Sequence, residues 1–574
     1  MKTIFKVLLL GALITFLSCE DDKNTLSVSK AEIIIPADGG DAAFMIETNA
    51  NSWNIENPAS DWISTSKTTG TGSMSQVLVH VESRTLTTRA DTIIITAGNA
   101  IPCPVIVTQG PSEYLYELST NRTYADFGFI SGSITMTVTS DAPEWNLSCD
   151  ADWVEFSKSN GGSGSFDIKI NVANNTDTTN RATIVTLTGT NAPSSEIPLT
   201  QRGCYPDYNK NPLPQDMTGM SSTAAELADK INIGWNIGNT LEAIGGETNW
   251  GNPQVNNGLI NLVKQNGFNA IRIPCSWDQY SDMETGKIDD SWLDRVKTVV
   301  QYCVDNDMYV ILNIHWDGGW LENNCTAAKQ YGNNAKQKAY WEQIATCLRD
   351  FDEHLLFASA NEPNVEDAAQ MQVLLSYHQT FVDAVRSTGG KNSYRVLVVQ
   401  GPSTDIEKTN KLMTTMPTDE IDDRMMAEVH FYSPYQFTLM GEDATWGKMH
   451  YYWGNGYHST TDTEHNANWG EEDYVDEMFG LMKSQFVNKG IPVILGEFGV
   501  IKRTYLTGTD LELHLASRAY YLKYVVKQAK ANGIIPFYWD AGNIGKHEMT
   551  IFNRSTNTVH DQQALDGMIE GANE

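Results

Sequence analysis

Two glutamates stand just behind apolar, β-branched runs. Glu362 lies in Asn361-Glu362-Pro363, behind Leu355–Ala360. Glu497 lies in Gly496-Glu497-Phe498-Gly499, behind Val493–Leu495 and 135 residues further on. Two carboxylates can divide acid–base and nucleophilic work if their environments push their pKa values apart. The other apolar runs carry partners for such a pair. Ala270–Pro274 contains Arg272, Tyr309–Ile314 contains Asn313 and leads to His315, and Met426–Phe431 brings His430 and then Tyr432. Ile534–Tyr538 is followed by Trp539 and Asp540. A lone glutamate at a strand end usually belongs to a solvated rim. Two of them, with Arg and His at neighbouring strand ends, point to a catalytic face.

The elements that must hold these residues follow from periodicity. Ile231–Ile237 and Val396–Gln400 complete a set of eight strand-like runs. Helical patterns alternate with them, as in Leu293-Val296-Val299-Val300-Cys303 and Leu374-Leu375-His378-Phe381-Val382-Val385. Gly267, Gly389-Gly390, Gly490 and Gly533 mark helix ends. Eight strands alternating with helices over residues 220–574 predict a (β/α)8 TIM barrel, whose chemistry sits at the C-terminal ends of the strands. A doubly wound sheet is the competing layout. No G-x-G-x-x-G follows the first strand, and Gly545-Lys546 lacks the rest of a Walker loop, which argues against nucleotide binding.

The motifs in order are Gly234-Trp235-Asn236-Ile237-Gly238-Asn239-Thr240-Leu241-Glu242, Glu247-Thr248-Asn249-Trp250-Gly251-Asn252-Pro253, Ile271-Arg272-Ile273-Pro274, Asn361-Glu362-Pro363, His430-Phe431-Tyr432 and Gly496-Glu497-Phe498-Gly499. This set resembles glycoside hydrolase family 5, and within it the subfamily 4 endo-β-1,4-glucanases and xyloglucanases. The chain departs from the family where Trp316 follows His315 and where Ala541 sits between Asp540 and Gly542.

The resemblance implies a retaining endoglucanase acting on xyloglucan, mixed-linkage glucan or cellulose. No H-E-x-x-H or clustered Asp/His spacing appears, so no metal or other cofactor is expected. Glu497 would be the nucleophile and Glu362 the acid, then the base. Arg272 is expected to keep Glu497 ionised, and Glu362, facing that charge, to titrate higher. Tyr432 would hydrogen-bond the nucleophile, and Asn361 would hold a sugar 2-hydroxyl. His315 and His430 would position sugar and carboxylates, and Trp539 would form the floor. Asn239, Trp250 and Trp316 are further substrate-binding candidates. The aromatic insertion Ser433 to Tyr474, with Trp446, Tyr451, Tyr452, Trp453, Tyr457 and Trp469, reads as a wall of the cleft. A β-mannanase with the same carboxylate pair, and a non-catalytic glycan-binding surface protein, are the alternative readings.

Residues 26–203 read differently. Thr, Ser, Val and Ile alternate between Gly/Asn turns, the pattern of all-β immunoglobulin-like sandwiches. Trp53-Asn54-Ile55 recurs as Trp145-Asn146-Leu147, Asp61-Trp62-Ile63 as Asp152-Trp153-Val154, and Val107-Thr108-Gln109 as Leu199-Thr200-Gln201, offset by 91 or 92 residues. These short motifs resemble BACON domains. They divide the region into 26–110 and 112–203, with a linker at 204–219. Trp53 and Trp145 read as core, and the pair of domains as a spacer in preference to a glycan binder.

At the N-terminus Lys2 and Lys6 precede an apolar run to Leu17, then Ser18 and Cys19, and the acidic Glu20-Asp21-Asp22. Residues 1–19 resemble a bacterial lipoprotein signal peptide. Lipidation of Cys19 would place the protein on the outer face of the outer membrane, as in Bacteroidetes surface lipoproteins. Seven scattered cysteines remain without a C-x-x-C pair, so no zinc ribbon is expected, and one bridge, for example Cys325–Cys347, stays open. With 40 basic against 71 acidic residues the net charge is −31, which argues against nucleic acid as a partner and suits a neutral polysaccharide. A monomer is expected.

Overall fold

The computed structural model describes residues 23–83, 88–110 and 116–574. The signal-peptide reading and Cys19 lie outside them. Two compact units divide between Cys204 and Tyr205.

The first unit holds two sandwiches of the same design, each a four-stranded sheet facing a five-stranded sheet. Strict alternation builds their cores. Ile93, Ile95, Val105 and Val107 point inward in the first, and Val185, Leu187, Ile197 and Leu199 in the second. Trp53 and Trp145 are fully buried and press on Gly70 and Gly161, where any Cβ would meet the indole. The repeated Gln also has a structural reason. Gln109 Nε2 donates to the carbonyls of Pro36, Ala37 and Glu82, and Gln201 Nε2 to those of Gly128, Phe129 and Ala173. Each Gln also accepts from an Arg Nε, Arg89 or Arg181, whose guanidinium lies over Trp62 or Trp153.

The second unit is a closed barrel of eight parallel strands. They are β1 Gly234–Ile237, β2 Ala270–Ile273, β3 Tyr309–Asn313, β4 Leu355–Ala358, β5 Leu397–Gln400, β6 Met425–Phe431, β7 Val493–Phe498 and β8 Ile534–Asp540. Every run expected from the sequence forms a strand. From Tyr205 on, the expected linker belongs to the barrel unit. Tyr208 N donates to Glu342 Oε2, and Leu213–Gln215 pairs with Gly389–Gly390. Cys325 and Cys347 are both free, so the bridge left open does not form.

The barrel interior changes character along its axis. At the N-terminal ends, Ala270, Ile311, Leu356, Val398, Met426, Ile494 and Ile535 form an apolar layer that Leu227 and Ile231 cover. Two residues further along β2, β3, β5 and β6 come Arg272, Asn313, Gln400 and Glu428, all fully buried, joined by Asn236 of β1. The period of two carries each strand from an apolar to a polar inward position.

Trp145→Ala should destabilise the second sandwich by about 3–5 kcal/mol, the usual cost of truncating a buried Trp. Faster hydrogen exchange of amides in 118–201, with barrel amides unchanged, would report it.

Candidate active site

Arg272 organises the polar layer. Its Nη1 donates to Glu497 Oε1 (2.9 Å) and Asn236 Oδ1 (3.0 Å), and its Nη2 to Asn361 Oδ1 (2.9 Å). Its Nε lies 2.9 Å from Glu428 Oε1 in a fully buried ion pair. One guanidinium thus ties β1, β2, β6 and β7 to the residue before Glu362, using the fork geometry that Lys lacks.

Glu497 owes its aim to a bulge. Val429 pairs with Leu495, but His430 pairs with Glu497, so Gly496 is the extra residue. Asn236 Nδ2 donates to the Gly496 carbonyl at 2.8 Å. A Cβ on Gly496 would fall on the Glu428 carboxylate, so only glycine fits the bulge. Glu497 Oε2 then accepts from the Tyr432 hydroxyl at 3.0 Å. Glu362 Oε1 lies 2.7 Å from His430 Nδ1, and Glu497 Oε2 lies 3.7 Å from the same nitrogen. One oxygen of each carboxylate and this ring nitrogen all lie within 4.8 Å of one another. Arg272 and His430 supply the positive charge there. A second group, Asp462, Glu464 and His465, sits on the insertion, where Lys448 Nζ already pairs with Glu464 at 2.6 Å.

The titration order differs from the expected one. Burial pushes the Glu497 carboxyl up, and the opposing charges of His430 and Arg272 do not fully offset it. Burial also acts to raise Glu362, but its hydrogen bond to His430 and that ring's charge hold the carboxyl below its usual range. His430 itself, despite a burial penalty, is pushed up to about 10 by Glu497, Glu362 and Glu428. The resting pocket therefore keeps its shared proton on His430, one hydrogen bond from Glu362. The sequence assigns His430 a positioning role toward the carboxylates but not the proton it holds between them.

The other expected residues divide into two sets. Asn361 presents Oδ1 to Arg272 and Nδ2 to Glu322 Oε1 (3.0 Å), so one amide hydrogen remains for a further acceptor. His315 is held neutral by burial and by Arg272 and His430. Asn313 Nδ2 meets its Nδ1 at 3.3 Å, which leaves the proton on Nε2. Its ring lies parallel to Trp539, with centroids 5.6 Å apart, and Trp539 closes over Gly238. Asn239, Trp250 and Trp316 stand outside this network. Asn239 is a left-handed turn residue whose backbone N–H is capped by Glu242, while Trp250 and Trp316 are exposed. In the insertion, Tyr451, Tyr452 and Trp453 are buried, Trp453 against Tyr520 and Tyr521. Tyr451 and Tyr452 build a small core of the insertion with Met440 and Met449, and Trp453 joins the main barrel core, so these three pack instead of walling a cleft. Trp446 and Trp469 remain exposed.

Two carboxylates escaped the sequence reading. Glu428 is fully buried two residues before His430, and the strand period would have placed both on one face. Glu322, in the loop after β3, accepts from the Glu362 backbone N–H and is pushed up to about 7 by burial. No periodicity marks it.

An eight-stranded α/β barrel that gathers two close carboxylates, an arginine and Trp539 at its C-terminal face is a glycosidase scaffold. The profile of Cellulase (glycosyl hydrolase family 5) matches residues 236–545, and BACON profiles match 25–111 and 144–202. The chain belongs to glycosyl hydrolase family 5. It is 36% identical over 480 residues to the xyloglucan-specific endo-beta-1,4-glucanase BoGH5A of Bacteroides ovatus, covering 79% of this chain and 92% of that one. Endoglucanase A of Paenibacillus barcinonensis is 35% identical, covering 61% and 90%. Among solved structures, the Bacteroides ovatus xyloglucanase in complex with an XXXG heptasaccharide aligns over 80% of this chain and 100% of its own, at TM-score 0.59 and 33% identity. A broad-specificity endoglucanase from Bacteroides salanitronis covers 63% and 98%, at TM-score 0.55 and 34% identity.

His430 binds its proton more tightly folded than unfolded. That contribution to stability is complete below about pH 6.5, the ordinary value, and is lost as pH rises toward 10. The thermal midpoint should therefore fall across pH 6.5–10, and fall less steeply in His430→Gln.

Proposed function

We propose that the protein is a retaining endo-β-1,4-glucanase that cuts plant β-glucans, xyloglucan foremost, by double displacement. The observation that carries this reading is the approach of Glu362 and Glu497 to within 4.8 Å, oxygen to oxygen, about His430. It suits the 5–5.5 Å carboxyl spacing typical of retention and falls short of the roughly 6.5–9.5 Å that leaves room for an inverting water.

Glu497, aimed by the Gly496 bulge, attacks the anomeric carbon as the bond to the leaving oxygen breaks. The acid must be a neutral Glu362. Its side chain is 44% exposed in the open cleft, and a sugar chain entering there excludes water. A low-dielectric surrounding disfavours the Glu362–His430 ion pair relative to the neutral pair. The proton then moves from Nδ1 to Oε1 and onward to the leaving oxygen. Once Glu497 is an ester, Glu362 carries the nearest free carboxylate and takes a proton from the incoming water as the water oxygen bonds to the anomeric carbon and the ester bond to Glu497 breaks; that proton then returns to His430. Trp539 lies beneath the reacting sugar, and the remaining Asn361 hydrogen meets its 2-hydroxyl. Xyloglucan is favoured because the named relatives spanning both parts of the chain act on it. Exposed Trp250, Trp316, Trp446 and Trp469 offer stacking faces along a neutral chain.

The fully buried Trp53 and Trp145 support a spacer role for the two BACON domains. Cys19 behind an apolar run supports a lipid anchor on the outer membrane.

Reducing-sugar release from tamarind xyloglucan, barley β-glucan, carboxymethylcellulose and glucomannan tests the reading. Activity on one or more of the three glucans, lowered about 10⁴-fold or more in Glu497→Ala as expected for loss of a covalent nucleophile, is the expected result. Release from glucomannan alone would replace it with a mannanase. Expressed with its leader, Cys19→Ala should move the protein from the membrane fraction to the soluble fraction.

A further inference from the structure

Beneath the two catalytic glutamates lies a third carboxylate with no route to substrate. Glu428 is fully buried in the middle of β6. Its Oε1 faces Arg272 Nε at 2.9 Å and His430 Nε2 at 3.2 Å, and its Oε2 accepts from Gln400 Nε2 at 2.5 Å. The barrel reserves space for it, since Gly496 must lack a side chain there. A buried carboxylate is costly unless it is paired and hydrogen-bonded, and here both of its cations belong to the active site.

We infer that Glu428 is a positioning residue for catalysis, the counter-ion that fixes the His430 ring and keeps the pocket's shared proton on it. The geometry leaves His430 two roles at once. Nε2 faces Glu428 and Nδ1 faces Glu362, and with both carboxylates ionised each nitrogen must donate. Both nitrogens carry a proton only in the imidazolium, and Glu428 is the partner that supports this form from the side away from substrate. Without it, three carboxylates on two cations become two on two, and little holds the extra proton.

The groups facing this pair come from every neighbouring strand. Arg272 stands on β2, neutral His315 after β3, and Glu362 after β4. Tyr432 follows β6, Glu497 sits on β7, and Glu322 lies behind Glu362. Removing the Glu428 charge lowers the proton affinity of the carboxylates as well as of His430. Both limbs of the pH–activity profile should then move to lower pH: the acidic limb because Glu497 ionises earlier, the basic limb because the shared proton leaves earlier.

The test is Glu428→Gln, with Glu428→Asp as the graded variant. Ring-¹³C histidine NMR of the full chain, with His430 assigned by His430→Gln, reads the imidazole without substrate. In Glu428→Gln the His430 titration should fall by about one pH unit or more, a tenfold loss of proton affinity. In Glu428→Asp, whose charge sits further back, it should fall by less. The kcat/KM profile on soluble β-glucan should follow the same order. An unchanged His430 titration in either folded variant overturns the inference, as does a uniform activity loss with no displacement of the limbs. The kinetic arm rests on the glucanase reading and the NMR arm does not. A wild type inactive on every glucan would sink that reading and leave Glu428 to be judged by titration alone.

Discussion

The guanidinium of Arg272 is the constraint on which the site depends. It is fully buried, and its donors reach Glu497, Asn236 and Asn361 while its Nε sits on Glu428. A charge taken out of water at that depth is tolerable only with all of these partners in place. The partners come from three other strands and the turn after β4, so closing the barrel in register and assembling the site are one event. A change that let β6 slip against β7 would misplace Glu428 and Glu497 together.

The fold prepares for this charge cluster in two ways. The barrel's lower layer is apolar and tightly filled, so the polar layer rests on a rigid floor. The bulge at Gly496 then breaks the β6–β7 ladder where a carboxylate must turn toward the cleft. The freed carbonyl is satisfied by Asn236, which meets the demand that buried backbone groups be paired. Strand, bulge and supporting amide act as one device for aiming the nucleophile.

Much of this was legible in the sequence. Glu362, Glu497, Arg272, His430, Tyr432 and Trp539 meet because each lies at the C-terminal end of a strand, and eight apolar runs place those ends on one face. The less legible residues are those whose environment, more than their position, decides their role. Glu428 and Gln400 are polar residues inside runs that read as apolar strand. Glu322 sits in a loop without periodicity. Tyr451, Tyr452 and Trp453 have the composition of a sugar platform and the burial of a core, and composition does not separate the two. The titration order was missed for a related reason. It depends on an imidazolium held between two carboxylates, and a list of strand-end residues does not contain that distance.

The most direct test of the account is to trap the reaction half-way. A 2-deoxy-2-fluoro glycoside of a β-1,4-glucan oligosaccharide with a good leaving group slows both steps, the second more, so a covalent intermediate accumulates. Peptide mass spectrometry should find the sugar esterified to Glu497, with wild-type turnover on unmodified glucan giving products of retained configuration. Label on Glu362, or turnover with inverted products and no label, would contradict the assignment of nucleophile and acid.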